Sequence, residues 1–135
     1  MDDLFEKIAR KEIPSTPIYE DPDIYAFLDI HPVNLGHTLV IPKTKYRNLL
    51  DTPEEVLGKM MVVAKKIADA QMKGLGAQGV NIEMNNEKAA GQLVFHTHIH
   101  VIPRYEDDGF RHWKGPERTP EEIANAGEQI RKAIS

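Results

Sequence analysis

The chain predicts an α+β fold: a single domain over residues 1–135 with an antiparallel sheet of about five strands, one long helix and shorter terminal helices. The helices rest on two similar strings, Thr52-Pro53-Glu54-Glu55 and Thr119-Pro120-Glu121-Glu122, each opening a stretch of helical periodicity. The sheet rests on short β-rich runs bounded by proline, aspartate and glycine. Strands joined as hairpins and segregated from the helices favour α+β over a doubly wound parallel sheet.

In order along the chain, Leu4, Phe5 and Ile8 stand at helical spacing behind Asp2 and Asp3, which predicts a short helix within 2–11. Pro17 to Glu20 and Ile24 to Asp29 flank Asp21-Pro22-Asp23, a reversal that makes them a hairpin. After the loop from His31 to Gly36, the apolar run His37 to Ile41 is a third strand, stopped by Pro42. Thr52 then reads as an N-cap, with Pro53 at the first helical position and Glu55 at N3. Val56, Met60, Val63 and Ile67 form one stripe of this long helix and Leu57, Met61, Ala64 and Ala68 another. Together they are wide enough to face a sheet on one side and a second subunit on the other. Gly74 and Gly76 end the helix. Gly79 to Asn85 and Leu93 to Arg104 are two further strands, and Ile123, Gly127, Ile130 and Ile134 set the register of the last helix.

Composition excludes several classes of function. With 41% hydrophobic and 28% charged residues the chain suits one soluble domain. It contains no cysteine, which removes thiol nucleophiles and thiolate zinc sites. A net charge of −4 argues against a nucleic-acid surface, and the basic groups Lys43, Lys45, Arg47, Lys65 and Lys66 read as solvated faces. Neither a basic leader with an apolar run nor a membrane-length apolar stretch is visible, so a soluble, cytoplasmic protein is expected. Gly74-Leu75-Gly76-Ala77-Gln78-Gly79 matches G-x-G-x-x-G but closes a helix instead of opening one, the wrong context for a dinucleotide.

The chemistry concentrates in His96, His98 and His100. In a strand alternate residues share a face, so these imidazoles point one way, while Phe95, Thr97, Ile99 and Val101 point the other and pack on the core. A surface cluster, a metal site and a phosphoryl-transfer site are the readings open to such a row. At about 3.4 Å per residue the outer two Cα atoms stand roughly 13 Å apart, too far for both rings to reach one ion at about 2 Å. Two of the rings with His37 could do so. For phosphoryl transfer, one imidazole is the nucleophile and its neighbours donate to phosphate oxygens, with Asn85, Gly91 and Gln92 nearby as uncharged donors or close backbone.

The run His96-Thr97-His98-Ile99-His100-Val101-Ile102 resembles the signature of the histidine-triad (HIT) nucleotide hydrolases and transferases, with threonine at one normally apolar position. The resemblance continues through Phe5-Glu6-Lys7-Ile8, Glu12-Ile13-Pro14, Ala26 to Ile30, Gly36 to Lys43, Ala90-Gly91-Gln92 and Pro103-Arg104-Tyr105. It implies a HIT-like fold and a homodimer with the long helix and adjacent strands at its two-fold interface. It also implies that His98 attacks the α-phosphorus of a nucleotide, forming a nucleotidyl-histidine and releasing a nucleoside monophosphate. The Nε2 of His98 must then be free, its other ring nitrogen holding a proton against a backbone carbonyl. By the same resemblance His96, His100 and His37 complete the catalytic cluster. Asn85, Gln92 and the backbone at Leu93 serve the phosphate and leaving group, Asp29 the ribose, and Phe5, Ile8, Phe27 and Ile30 the base, expected to be a purine.

Two departures from the family pattern bear on chemistry. Leu93 stands where many relatives place a serine or threonine, which removes a hydroxyl donor. Asp3 and Glu6 stand near the places where many microbial relatives carry zinc-binding cysteines, so no metal and no cofactor are expected. Asparagine at position 85 favours the phosphoramidase-type branch over the dinucleoside-polyphosphate hydrolases. A nucleotide-binding regulatory module or a non-catalytic histidine metal site are the alternatives of another class. His31 and His112 have no assigned role.

Overall fold

The computed structural model describes residues 4–111 and 113–135. It runs α1 (Leu4–Ala9), β1 (Pro17–Glu20), β2 (Ile24–Leu28), β3 (Thr38–Pro42), α2 (Glu54–Leu75), β4 (Gly79–Glu83), β5 (Ile99–Arg104) and α3 (Pro120–Ala133). The five strands form one antiparallel sheet in the order β1-β2-β3-β5-β4. This is the α+β architecture that the sequence predicts. Adjacency of β3 and β5 places the segment before β3, with His37, beside the triad.

Period-two alternation distributes each central strand between two cores. Ile24 and Ala26 of β2, Val40 of β3 and Ile99 and Val101 of β5 pack against Met60, Val63, Ala64 and Ile67 of α2. Tyr25, Phe27, Leu39 and Ile41 face the other way and meet Phe5 and Ile8 of α1. Burying each such large side chain contributes about 1.5–3 kcal/mol, which holds both α1 and α2 on the sheet. Along α2 the first predicted stripe lies on the sheet, whereas Met61 of the second is 48% exposed.

Four local expectations are corrected. Thr52 does not cap α2: the helix starts at Glu54 with Pro53 at the cap position and no side-chain cap bond. The Thr52 hydroxyl turns inward instead, to the carbonyl of Asn48 at 2.6 Å and to the Thr97 hydroxyl at 2.8 Å. At Thr119 the same string does form the capping box with Glu122. Of the two glycines, Gly74 stays helical and Gly76, at φ 69°, makes the left-handed cap.

Third, β5 begins at Ile99 and not at Leu93. Lys43 donates its N–H to Asp23 on the β2 side, so residue 42 faces β5. Proline has no N–H to offer there, and the β3–β5 ladder ends at Val40 and Ile99. Pro42 itself lies in β3, paired with Ile24. Fourth, Phe95 is not in the core; it lies half-buried under the Arg47 guanidinium, 4.3 Å from ring centre to Cζ.

No residue of α3 is buried, and Ile123, Ile130 and Ile134 are exposed. Among the described residues no helix is long and apolar enough to cross a membrane. Asp2, Asp3 and His112 lie outside the described residues.

Candidate active site

The histidines come together at the edge of the second core. His100 sits on β5 opposite Leu39 of β3 and Glu83 of β4, and His98 lies just before the strand. Their ring centres are 4.9 Å apart, and the ring of Phe5 approaches His98 edge-on at 5.0 Å. His37, immediately before β3, places Nε2 2.9 Å from Nδ1 of His100. His96 is fully buried behind them and donates through Nε2 to the carbonyl of Pro42 at 2.7 Å.

A cavity of about 560 Å³ opens in front of His98 and His100. This size is suited to a small-molecule ligand. Phe5, Ile8 and Phe27 form its apolar wall, each less than a tenth exposed. Ile30 and Leu93 border it and are 82% and 89% exposed. Asn85 and Asp29 supply polar groups to the lining, and Asp29 accepts the His31 amide at 2.8 Å through Oδ1. His31, unassigned from sequence, stands on the same rim.

Gln92 does not take part in the cavity. Its side-chain oxygen accepts from Asn48 Nδ2 at 3.1 Å and from the Glu87 amide at 2.8 Å. Its side-chain nitrogen donates to the carbonyls of Arg47 and Val94 at 2.8 and 3.0 Å. These four bonds use the full capacity of the amide. The structure therefore gives Gln92 the task of shaping the loop that carries Leu93 and Val94, in place of the expected phosphate contact.

The hydrogen bond expected between a ring nitrogen of His98 and a backbone carbonyl is present. Nδ1 lies 2.6 Å from the carbonyl oxygen of His96, which only accepts, so Nδ1 carries the proton and Nε2 keeps its lone pair. Burial is the largest cause holding His98, His96 and His37 below the usual histidine pKa of 6.5, against opposing contributions from backbone carbonyls or Asp29. His100 is pushed down to about 4, first by burial and then by His98 and His37. All four rings are thus neutral at pH 7.

Asp29, His37 and His100 bring ligand-type atoms within 4.8 Å of one another, a donor set of the kind zinc accepts. In the arrangement present, Oδ2 of Asp29 stands 3.6 Å from Nε2 of His37. Glu6 pairs with Arg10.

Among the groups that sequence reasoning missed, two differ in how legible they were. Leu39 lines the cavity and was legible by alternation, being two residues from His37. The Arg47, Asn48 and Glu87 cluster that holds Gln92 spans some forty positions and leaves no local signal.

Comparison with known proteins agrees with this geometry. The model of the HIT domain matches residues 10–107. Protein hit of Bacillus subtilis is 41% identical over 98% of this chain and 94% of its own. The adenylylsulfatase HINT3 of Arabidopsis thaliana is 44% identical over 79% of this chain and 54% of that longer one. A crystal structure from Streptococcus mutans superposes with a TM-score of 0.92 at 42% identity, covering 100% of this chain and 87% of the other. With the HIT domain matched over most of its length and relatives above 40% identical across nearly all of it, the chain belongs to the HIT family.

Proposed function

We propose that this protein is a nucleotide hydrolase or transferase in which His98 attacks the α-phosphorus and a nucleoside monophosphate is released. One observation carries the reading: the 2.6 Å bond from Nδ1 of His98 to the His96 carbonyl leaves Nε2 as a free lone pair at the cavity. In the first step that lone pair forms an N–P bond, and the bond from phosphorus to the leaving group breaks, its electron pair departing with the leaving group. In the second, water or another acceptor attacks phosphorus, loses its proton, and returns the electron pair of the N–P bond to Nε2.

The remaining lining fits a nucleotide in one orientation. Phe5, Ile8, Phe27 and the exposed Ile30 would cover a purine, Asp29 would accept a ribose hydroxyl, and Asn85 would donate to the phosphate together with the triad. Leu93 at the rim offers no hydroxyl to protonate a leaving group, so the proton that an amine needs in order to depart must come from another group of the lining. Asparagine at position 85 supports the phosphoramidase-type branch over dinucleoside-polyphosphate hydrolysis. The relative named as an adenylylsulfatase supports an adenylyl substrate.

A homodimer is part of the proposal. Met61 and Val62 on α2 and Ile82 on the outer strand β4 are exposed apolar groups, suited to a two-fold contact through these elements. Cytoplasmic location remains the expectation of the sequence.

The test is incubation with adenosine phosphoramidate, adenylyl sulfate and diadenosine polyphosphates, with mass spectrometry for a nucleotidyl adduct on His98. Turnover is expected to be highest with the phosphoramidate and to vanish in His98→Ala. Undiminished turnover in that variant would sink the mechanism, and binding without turnover in the wild type would favour a regulatory module.

A further inference from the structure

We propose that the backbone amide of Val33 is a positioning group: it fixes which nitrogen of His37, and through it of His100, carries the proton, so that His100 presents Nε2–H to the cavity. Val33 N lies 3.1 Å from Nδ1 of His37. A backbone amide can only donate, so Nδ1 holds a lone pair and the proton of the neutral ring is on Nε2. That nitrogen is 2.9 Å from Nδ1 of His100, which must accept and therefore carry its own proton on Nε2.

The reverse arrangement fails. A proton on His100 Nδ1 directed at His37 would force the His37 proton onto Nδ1, donor against donor with Val33. An imidazolium at His37 meets the same obstacle, although the Asp29 carboxylate stands only 3.6 Å away. Zinc meets it too: ligation of neutral His37 through Nε2 requires the proton on Nδ1. Val33 thereby makes the Asp29, His37 and His100 corner a directed hydrogen-bond chain instead of a metal site.

The loop around Val33 is held firmly enough for this. Asn34 Nδ2 donates to the Pro103 carbonyl at 2.8 Å and to Asp108 at 2.9 Å, and Asp108 is itself gripped by Arg104 through two bonds. Gln71 on α2 donates to the Gly36 carbonyl at 2.9 Å. Gly36 adopts φ +98°, a conformation that residues with a Cβ rarely take, so glycine suits this bend.

The effect on turnover rests on the His98 mechanism proposed above, whereas the protonation pattern does not. In the wild type at neutral pH, imidazole ¹⁵N spectroscopy should find His37 and His100 protonated on Nε2 and His98 on Nδ1. Replacing Val33 by its α-hydroxy acid converts the donating amide to an ester. His37 and His100 should then lose their single-tautomer signals, and kcat should fall by about tenfold with little change in KM. Val33→Ala, which keeps the N–H, should retain the wild-type tautomer signals. A proton on His37 Nδ1 in the wild type, or tautomers unmoved by the ester, would overturn the inference. Should His98→Ala retain turnover while the tautomers respond as described, the mechanism fails and the role of Val33 stands.

Discussion

The hydroxyl of Thr52, at the foot of α2, lies 2.8 Å from the hydroxyl of Thr97, which sits between His96 and His98. Thr52 donates onward to the Asn48 carbonyl, so the one hydroxyl proton of Thr97 is shared between Thr52 and the Tyr46 carbonyl at 3.2 Å. Thr52→Val removes one of the two acceptors of Thr97 and the donor to Asn48 in a buried place, and should cost about 1–3 kcal/mol. Thr119→Ala removes a true cap, but on an exposed helix; the expected result is local fraying of α3 with little change in global stability. Urea denaturation of both variants, with hydrogen exchange across α3, checks the contrast.

Gln92→Leu should behave as a stability variant. It leaves the Glu87 amide, Asn48 and two carbonyls without their partner, for an expected loss of about 2–4 kcal/mol. At a temperature where the variant is fully folded, kcat/KM should fall less than tenfold. A larger fall in a folded protein would return Gln92 to the substrate.

The pH profile follows from burial of the histidines. A nucleophilic imidazole must be neutral, and burial lowers the pKa of His98, so kcat/KM should hold its plateau below pH 6.5 before declining. Stability changes earlier. Below about 6.5 the unfolded chain binds protons that the folded rings refuse, so stability is lost as pH falls from 6.5 toward about 4, where His100 itself protonates. Kinetics alongside thermal melts across this range should separate the two effects, and a rate that drops together with the melting temperature from pH 6.5 would contradict the order.

Chelator should leave activity intact, because the His37 tautomer at the Asp29 corner opposes metal ligation. Turnover after dialysis against EDTA, with and without added zinc, decides this. Zinc-restored activity would mean that the ring at His37 is turned or reprotonated.

How far the sequence discloses these features varies by element. The alternation of histidines with Thr97, Ile99 and Val101 identified the correct faces, since burial has the same period as a strand. It could not tell where pairing stops, because that depends on Pro42, more than fifty residues away. The two Thr-Pro-Glu-Glu strings are locally equivalent. Only tertiary structure gives Thr52 a buried partner and leaves Thr119 to its helix. The resemblance pointed to Phe5, Phe27 and Asp29, which do line the cavity, and to Gln92, whose side-chain amide its neighbours already occupy. Val33 had no signal at all, as its contribution comes from the main chain.

The end of β4 at Glu83, opposite His100, has a consequence for anyone grafting this chemistry elsewhere. In the interior of a regular sheet each carbonyl is claimed by a neighbouring strand. Here β4 stops at Glu83, so no strand lies beside the His96 carbonyl and it is available to His98. Five residues transplanted into an ideal strand would copy the alternation and lose the anchored ring. The transferable unit is the motif together with the interrupted sheet edge on which it sits.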